Sequence, residues 1–174
     1  MTTILDQKQI LLRRIRRWVA VFMAGLIVSG ATAIPLEWEL NLAARILANG
    51  NAAKVESGFV RWVIKVQQGL QNTYGKYPFL AYGTDWLAFG HFAIAISFIG
   101  VYRDPVRNAW LFTFGTIACW LVIPFALIFG ELRGIPIFWR LIDCSFGVVG
   151  LVPLYFCKHW VKQLAGLSAD EKLS

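Results

Sequence analysis

The sequence predicts an all-α membrane protein, a four-helix transmembrane bundle with an amphipathic helical cap on its outer side. Three observations lead to this fold class. The mean hydropathy is +0.57 and 57% of the 174 residues are hydrophobic, well above the level of soluble domains. The apolar residues form four blocks, each long enough at ~1.5 Å per residue to cross most of a ~30 Å hydrocarbon layer. Basic residues flank these blocks.

The chain begins with a basic segment, 1–17, which we expect to form an amphipathic helix on the cytoplasmic face of the membrane. A solvated tail is the alternative. The first span follows at 18–36, and four arginines hold its start in the cytoplasm: Arg13, Arg14, Arg16 and Arg17. Gly25, Ser29 and Ala33 recur every fourth residue, so this face would let another helix approach closely.

The same block permits a second interpretation. Ala31-Thr32-Ala33, after a basic region and a short apolar core, has the pattern of a signal-peptide cleavage site. The apolar run continues past this site and further spans follow it, which favours a retained span. In both cases the chain continues on the outer side of the membrane.

Residues 37–83 form the predicted extracytoplasmic loop, the only long polar connection in the chain. Apolar side chains keep helical spacing up to the turn signal Asn49-Gly50-Asn51, and again from Val55 to Leu70. This pattern predicts two amphipathic helices. The second could lie in the outer membrane interface, but packing as a cap on the bundle is the interpretation that we favour.

Three further spans complete the predicted bundle, at 84–102, 109–130 and 137–157. The turn between the second and third spans contains Pro105 and is short, so these spans should be antiparallel neighbours. The tail, 158–174, is basic near the membrane and polar beyond it, which is typical of a cytoplasmic end.

Two stripes of matching spacing predict contact between the second and fourth spans. One comprises Gly90, Ala93, Ser97 and Gly100, and the other comprises Arg140, Asp143, Gly147 and Gly150. Small residues on facing helices allow their backbones to approach closely. We therefore expect these two faces to pack together.

Basic residues also predict the orientation. More lysines and arginines flank the expected inner ends of the spans than the outer ends, which places both termini in the cytoplasm. The net charge of +7 is interpreted as topology charge, and nucleic acid is not expected as a partner. The sequence thus predicts a multi-pass protein of the cell (inner or plasma) membrane. Its expected partners are the lipid bilayer and a membrane protein or a second copy of the chain.

Polar residues in the outer half of the bundle are the candidate ligand-binding residues: Asp85, His91, Glu131, Arg140 and Asp143. Ionisable groups inside a membrane are costly, so they mark either a site or a polar joint between helices. In the site interpretation they line a small outward-facing pocket. In the joint interpretation, Arg140 pairs with Asp143 or Asp85, and His91 donates to a carbonyl or hydroxyl group.

Cofactor and catalytic signals are weak. Neither a catalytic motif nor a metal-ligand spacing is present, and Cys119, Cys144 and Cys157 are expected as small buried residues. No cofactor or metal is predicted. Haem bound through His91 is an alternative only in a homodimer, because His159 lies at the opposite end of the bundle.

Three function classes follow from these features. The leading one is an accessory or scaffold protein without catalytic residues, held together by the polar joint. The first alternative is a binding or transport module that uses the outer pocket. The second alternative is a membrane enzyme or redox subunit built on the same residues.

Overall fold

The computed structural model describes residues 4–49 and 58–173. Within these residues the chain forms six α-helices: α1 (Ile4–Ala33), α2 (Leu36–Asn49), α3 (Gly58–Lys76), α4 (Tyr82–Arg103), α5 (Trp110–Leu132) and α6 (Ile137–Leu173). A short 3-10 helix, Pro78–Ala81, precedes α4, and no strand is present in the described part. The predicted turn at Gly50 and Asn51 lies outside the described residues, as do residues 1–3 of the basic segment.

Four helical stretches are long and apolar enough to cross a membrane: Ile4–Ala33, Pro78–Arg103, Trp110–Leu132 and Ile137–Ser168. Within the described residues the predicted all-α fold class, with four helices long and apolar enough to span a membrane, is therefore confirmed. Two of these helices extend beyond the predicted spans. α1 runs without a break through the basic segment into the first span, and α6 continues through most of the tail. The basic segment contains no glycine or proline that would end α1 before its apolar block, and the tail contains no proline that would end α6 soon after its apolar block.

The described residues fall into two compact units, the first formed by 1–25 with 94–174 and the second by 26–93. The first unit is built around apolar side chains that are almost fully buried: Ile15, Val19, Phe98, Val101, Phe112, Leu154 and Cys157. These come from α1, α4, α5 and α6, so the core joins all four helices of this unit. Where such helices lie in a bilayer, their core is stabilised by close van der Waals packing, because lipid is as apolar as these side chains.

α5 and α6 pack closely in this unit because α6 presents glycines to α5. A Cβ atom added to Gly147 would lie 2.5 Å from the Cys119 carbonyl oxygen, and one added to Gly150 would lie 2.8 Å from the Cys119 sulfur. The predicted role of these glycines, close helix contact, is thus present. The sequence predicted that these two glycines would contact the second span. In the structure both lie against α5 instead.

The second unit contains the end of α1, the helices α2 and α3, and the first half of α4. A Cβ atom added to Gly30 would lie 2.9 Å from a ring carbon of Phe92 and 3.0 Å from the Ala88 carbonyl oxygen. On α1, close approach therefore occurs at Gly30, whereas nothing described lies within 4 Å of the Cβ position of Gly25. α2 packs against α3, with the Gln67 amide donating to Asn41 Oδ1 at 2.7 Å.

We expect Gly147→Leu to destabilise the protein by about 1–3 kcal/mol, because a backbone carbonyl cannot move aside as a side chain can. The melting temperature in detergent, followed by circular dichroism, should fall by several degrees. Gly25→Leu is the matched control, since its side chain would meet open space on another helix. Equal melting temperatures for Gly147→Leu and the control would contradict the packing described for α5 and α6.

Candidate functional site

The turn from α5 to α6 determines which polar groups meet at this end of the first unit. Gly134 adopts a positive φ of 67°, a conformation that glycine tolerates at no steric cost. Its N–H donates to the Glu131 carbonyl at 3.0 Å, and the Ile135 N–H donates to the Gly130 carbonyl at 2.9 Å. This pair of bonds is a Schellman ending, which satisfies the last carbonyls of α5 and reverses the chain. α6 then begins at Ile137 and runs back along α5.

Arg140 lies in the first turns of α6 and is held by three parts of α5. Its guanidinium forms an ion pair with the Glu131 carboxylate, and Nη1 also donates to the Leu127 carbonyl at 3.4 Å. The aliphatic stem lies over Gly130, where an added Cβ atom would stand 2.5 Å from Cγ and Cδ of Arg140. Only 14% of the arginine side chain is exposed. The buried Nε has no hydrogen-bond partner among the described residues.

The ion pair between Arg140 and Glu131 therefore joins α5 to α6 across their connecting turn. Arg140 has this acidic partner instead of Asp143 or Asp85, the two that the sequence suggested. Glu131 is 71% exposed, so the pair lies at the edge of the apolar region, where its contribution is reduced by solvent screening. The polar joint between helices is present, but with a different carboxylate.

Asp143 lies one turn further along α6 and is half-buried. It makes no hydrogen bond or ion pair with any residue that the structure describes. Two of its neighbours along α6, Ile142 and Phe146, are apolar and exposed. Asp143 is thus a carboxylate without a described partner in an apolar helix.

Asp85 and His91 belong to the second unit and both lie on α4. Asp85 is exposed in the first turn of the helix, where the helix dipole favours a negative charge. His91 Nδ1 lies 2.8 Å from the Leu87 carbonyl oxygen, so Nδ1 is assigned as the donor and Nε2 is left as the free ring nitrogen. The predicted donation from His91 to a carbonyl is therefore present. No hydrogen bond joins Asp85 to His91 in the described structure.

The geometry gives little support for a metal site or a reactive thiol. Among the side chains that the structure describes, His, Cys, Asp and Glu form no group of three that could hold a metal ion. The three cysteines are buried, as predicted. Cys144 Sγ lies 3.8 Å from the Ile123 carbonyl oxygen, and Cys157 Sγ lies 3.8 Å from that of Ile15. Both thiols act as small packing residues between helices.

Two features of this region were not predicted from the sequence. One is the ion pair between Glu131 and Arg140. The sequence Glu131-Leu132-Arg133-Gly134 indicates it, because a glycine follows the acidic residue by three positions. A helix that ends at a glycine in the left-handed conformation is followed by a reversal of the chain. An acidic residue in its last turn then lies beside the first turn of the next helix. The other is a groove between α1 and α6, described below, which depends on how two distant segments pack.

Comparison of the chain with protein-family models, with curated proteins and with solved structures finds no match. Function is therefore inferred from the geometry of the chain itself.

We expect Arg140 and Glu131 to show a coupling energy of about 1 kcal/mol in a double-mutant cycle, because they form an ion pair at a partly exposed position. Suitable single changes are Arg140→Met, which keeps the stem over Gly130, and Glu131→Gln. Unfolding in detergent by increasing sodium dodecyl sulfate measures the free energy of each variant.

A second cycle with Arg140→Met and Asp143→Asn is the control, and its coupling energy should be near zero. A larger coupling between Arg140 and Asp143 than between Arg140 and Glu131 would show that the assigned ion pair is wrong.

Proposed function

We propose that the protein is an accessory or scaffold protein of the cell membrane that has no catalytic activity and binds another membrane protein through α6. The observation that carries this proposal is Asp143, a half-buried carboxylate that lies among exposed apolar side chains and has no described partner. A carboxylate in such surroundings costs several kcal/mol unless a partner supplies a hydrogen bond or a positive charge. Association with a helix that carries such a group removes this cost.

The joint between α5 and α6 supports the same proposal. Arg140, the nearest cation on α6, already pairs with Glu131 and lies against Gly130. Its packing keeps it with α5, so it is not free to neutralise Asp143. A fixed pair of helices that presents one unneutralised carboxylate is suited to recognition of a complementary membrane helix.

A partner of different sequence is favoured over a second copy of this chain. In a symmetric dimer the same patch occurs on both sides, and a residue near the symmetry axis meets its own copy. Asp143 would then face a second carboxylate, and the repulsion between two like charges weakens such an interface. The proposed partner therefore carries a lysine, arginine, histidine or amide within its membrane helix.

Site-specific photo-crosslinking in native membranes tests this proposal. A photoreactive amino acid at Phe146, within one turn of Asp143 on the same side, should give an adduct with a second membrane protein. The adduct should be reduced at least tenfold by Asp143→Leu and retained in part by Asp143→Asn, which can still form hydrogen bonds. The same amino acid at Leu141, which is exposed on the opposite side of α6, is the control.

Mass spectrometry of the adduct should identify a protein with a basic or amide residue in a membrane helix. Adducts that form only with lipid, or that keep the same yield in Asp143→Leu, would contradict the proposal. An adduct of twice the chain mass would replace it with self-association.

The proposed orientation places both termini in the cytoplasm of an inner or plasma membrane. It is supported by the basic residues near the start of α1, in the turn after α4 and near the end of α6. We expect a membrane-impermeant thiol reagent applied from outside to label Lys76→Cys and not Val106→Cys, in a background with the three native cysteines replaced. Labelling of Val106→Cys alone would reverse the orientation.

A further inference from the structure

A groove of about 490 Å³ lies in the first unit between the early part of α1 and the late part of α6. Six residues line it: Gln7, Ile10, Leu11, Gln163, Gly166 and Leu167. The lining is mostly apolar, with one amide contributed by each helix. The buried core of the unit continues beneath it through Ile15, Val161 and Leu164, so both walls are held by packing. Such a volume is within the usual range for small-molecule and headgroup sites.

The groove has room for a ligand at Gly166, because glycine has no side chain to fill this space. Nothing described lies within 4 Å of the position that a Cβ atom on Gly166 would take. Gln163 Nε2 donates to His159 Nε2 at 3.1 Å, which leaves the Gln163 amide oxygen and its second N–H available. The groove thus offers both apolar surface and unused hydrogen-bonding groups.

Two cations, Arg14 and Lys162, lie on the two helices that form the groove. Neither Arg14 nor Lys162 makes a hydrogen bond or ion pair with the side chains that the structure describes, those of 4–47 and 58–168. Arg14 shares the groove face of α1, because it follows Gln7 by about two turns and Leu11 by about one. By contrast, Arg16 has a hydrogen-bond partner, since its Nε donates to the Tyr102 carbonyl at 3.1 Å. Arg14 therefore lies on the groove face of α1 without a described counter-charge, and Lys162 directly precedes the lining residue Gln163 on α6.

An aromatic cluster follows the groove and Arg14 along α1 and α6, toward the apolar part of both helices. The aromatic rings, the two cations and the groove together form what we call the strip. The rings of Trp18 and Phe156 lie 5.7 Å apart, and Phe156 stacks on Trp160 at the same distance. Tryptophan is enriched at the level of lipid headgroups, where the ring is apolar and its N–H is polar. Along α1 and α6 the strip thus passes from aromatic rings to cations and then to the amides of the groove.

We propose that this strip is a binding site for one anionic phospholipid. The acyl chains and glycerol lie beside Trp18 and Phe156, the phosphate lies between Arg14 and Lys162, and the polar headgroup enters the groove toward Gln163. A phospholipid fits this order. Its acyl chains are apolar, its phosphate is anionic and its headgroup is polar, in the same order as the groups along the strip. Basic pockets beside membrane spans bind anionic headgroups in the same way.

Native mass spectrometry of the full chain in detergent tests the site, with phosphatidylglycerol and phosphatidylcholine of identical acyl chains as the probes. We expect at least a fivefold preference for phosphatidylglycerol, because the choline ammonium of phosphatidylcholine cancels the charge of its phosphate beside Arg14 and Lys162, and about 1 kcal/mol for each cation near a net anionic lipid corresponds to a factor of about five. Arg14→Gln combined with Lys162→Gln should reduce the preference to less than twofold. Gly166→Trp should do the same by filling the groove, although it leaves every charge in place.

The matched controls change equivalent groups elsewhere. Gly25→Trp adds the same ring at another open position of a helix, and Arg61→Gln with Lys65→Gln removes two cations from α3. Both should keep the fivefold preference. Equal binding of the two lipids by the unchanged protein would overturn the proposal. So would a preference that survives in Gly166→Trp, because the lipid would then be bound by a basic surface outside the groove.

Discussion

Close approach between α5 and α6 is the constraint on which the rest of the first unit depends. Gly147 lies so near the Cys119 carbonyl that no side chain fits between the two helices at that level. Nearer the connecting turn, the stem of Arg140 occupies the space that Gly130 leaves open. Because both contacts require a missing Cβ atom on one helix, they hold α5 and α6 at one spacing. The ion pair with Glu131 can form only at this spacing, so the charges follow from the packing.

Two charged residues about one turn apart on α6 therefore differ in what they can do. Arg140 has a carboxylate, a carbonyl and a packed stem, and its charge contributes to the stability of the hairpin. Asp143 has no described partner and contributes a cost instead. Proteins keep residues that reduce stability mainly where those residues bind something, and this is the physical reason for placing the proposed interface at Asp143.

Sequence patterns predicted the features that depend on local properties of the chain. The length of each apolar block determines whether it can cross a membrane, and the four predicted spans correspond to four apolar helices. Partners were harder to predict, because a small residue permits close approach without specifying the neighbour. Gly147 was correctly expected at a helix contact but was assigned to the wrong helix, and on α1 the contact occurs at Gly30 instead of Gly25. The pairing of Arg140 with Glu131 depends on the turn geometry, which residue spacing within one helix does not contain.

The beginning of α6 and its late part use positive charge in different ways. Near its start, Arg140 is neutralised by another helix of the same chain. Beyond Cys157 the helix continues with a buried core, yet Lys162 on α6 and Arg14 on α1, both near the groove, have no counter-charge among the described side chains. Like charges held together by a packed core repel one another, and this repulsion lowers stability unless an anion from outside compensates for it. A membrane surface supplies such anions at high local concentration, so the packing of α1 on α6 and the binding of anionic lipid should stabilise each other.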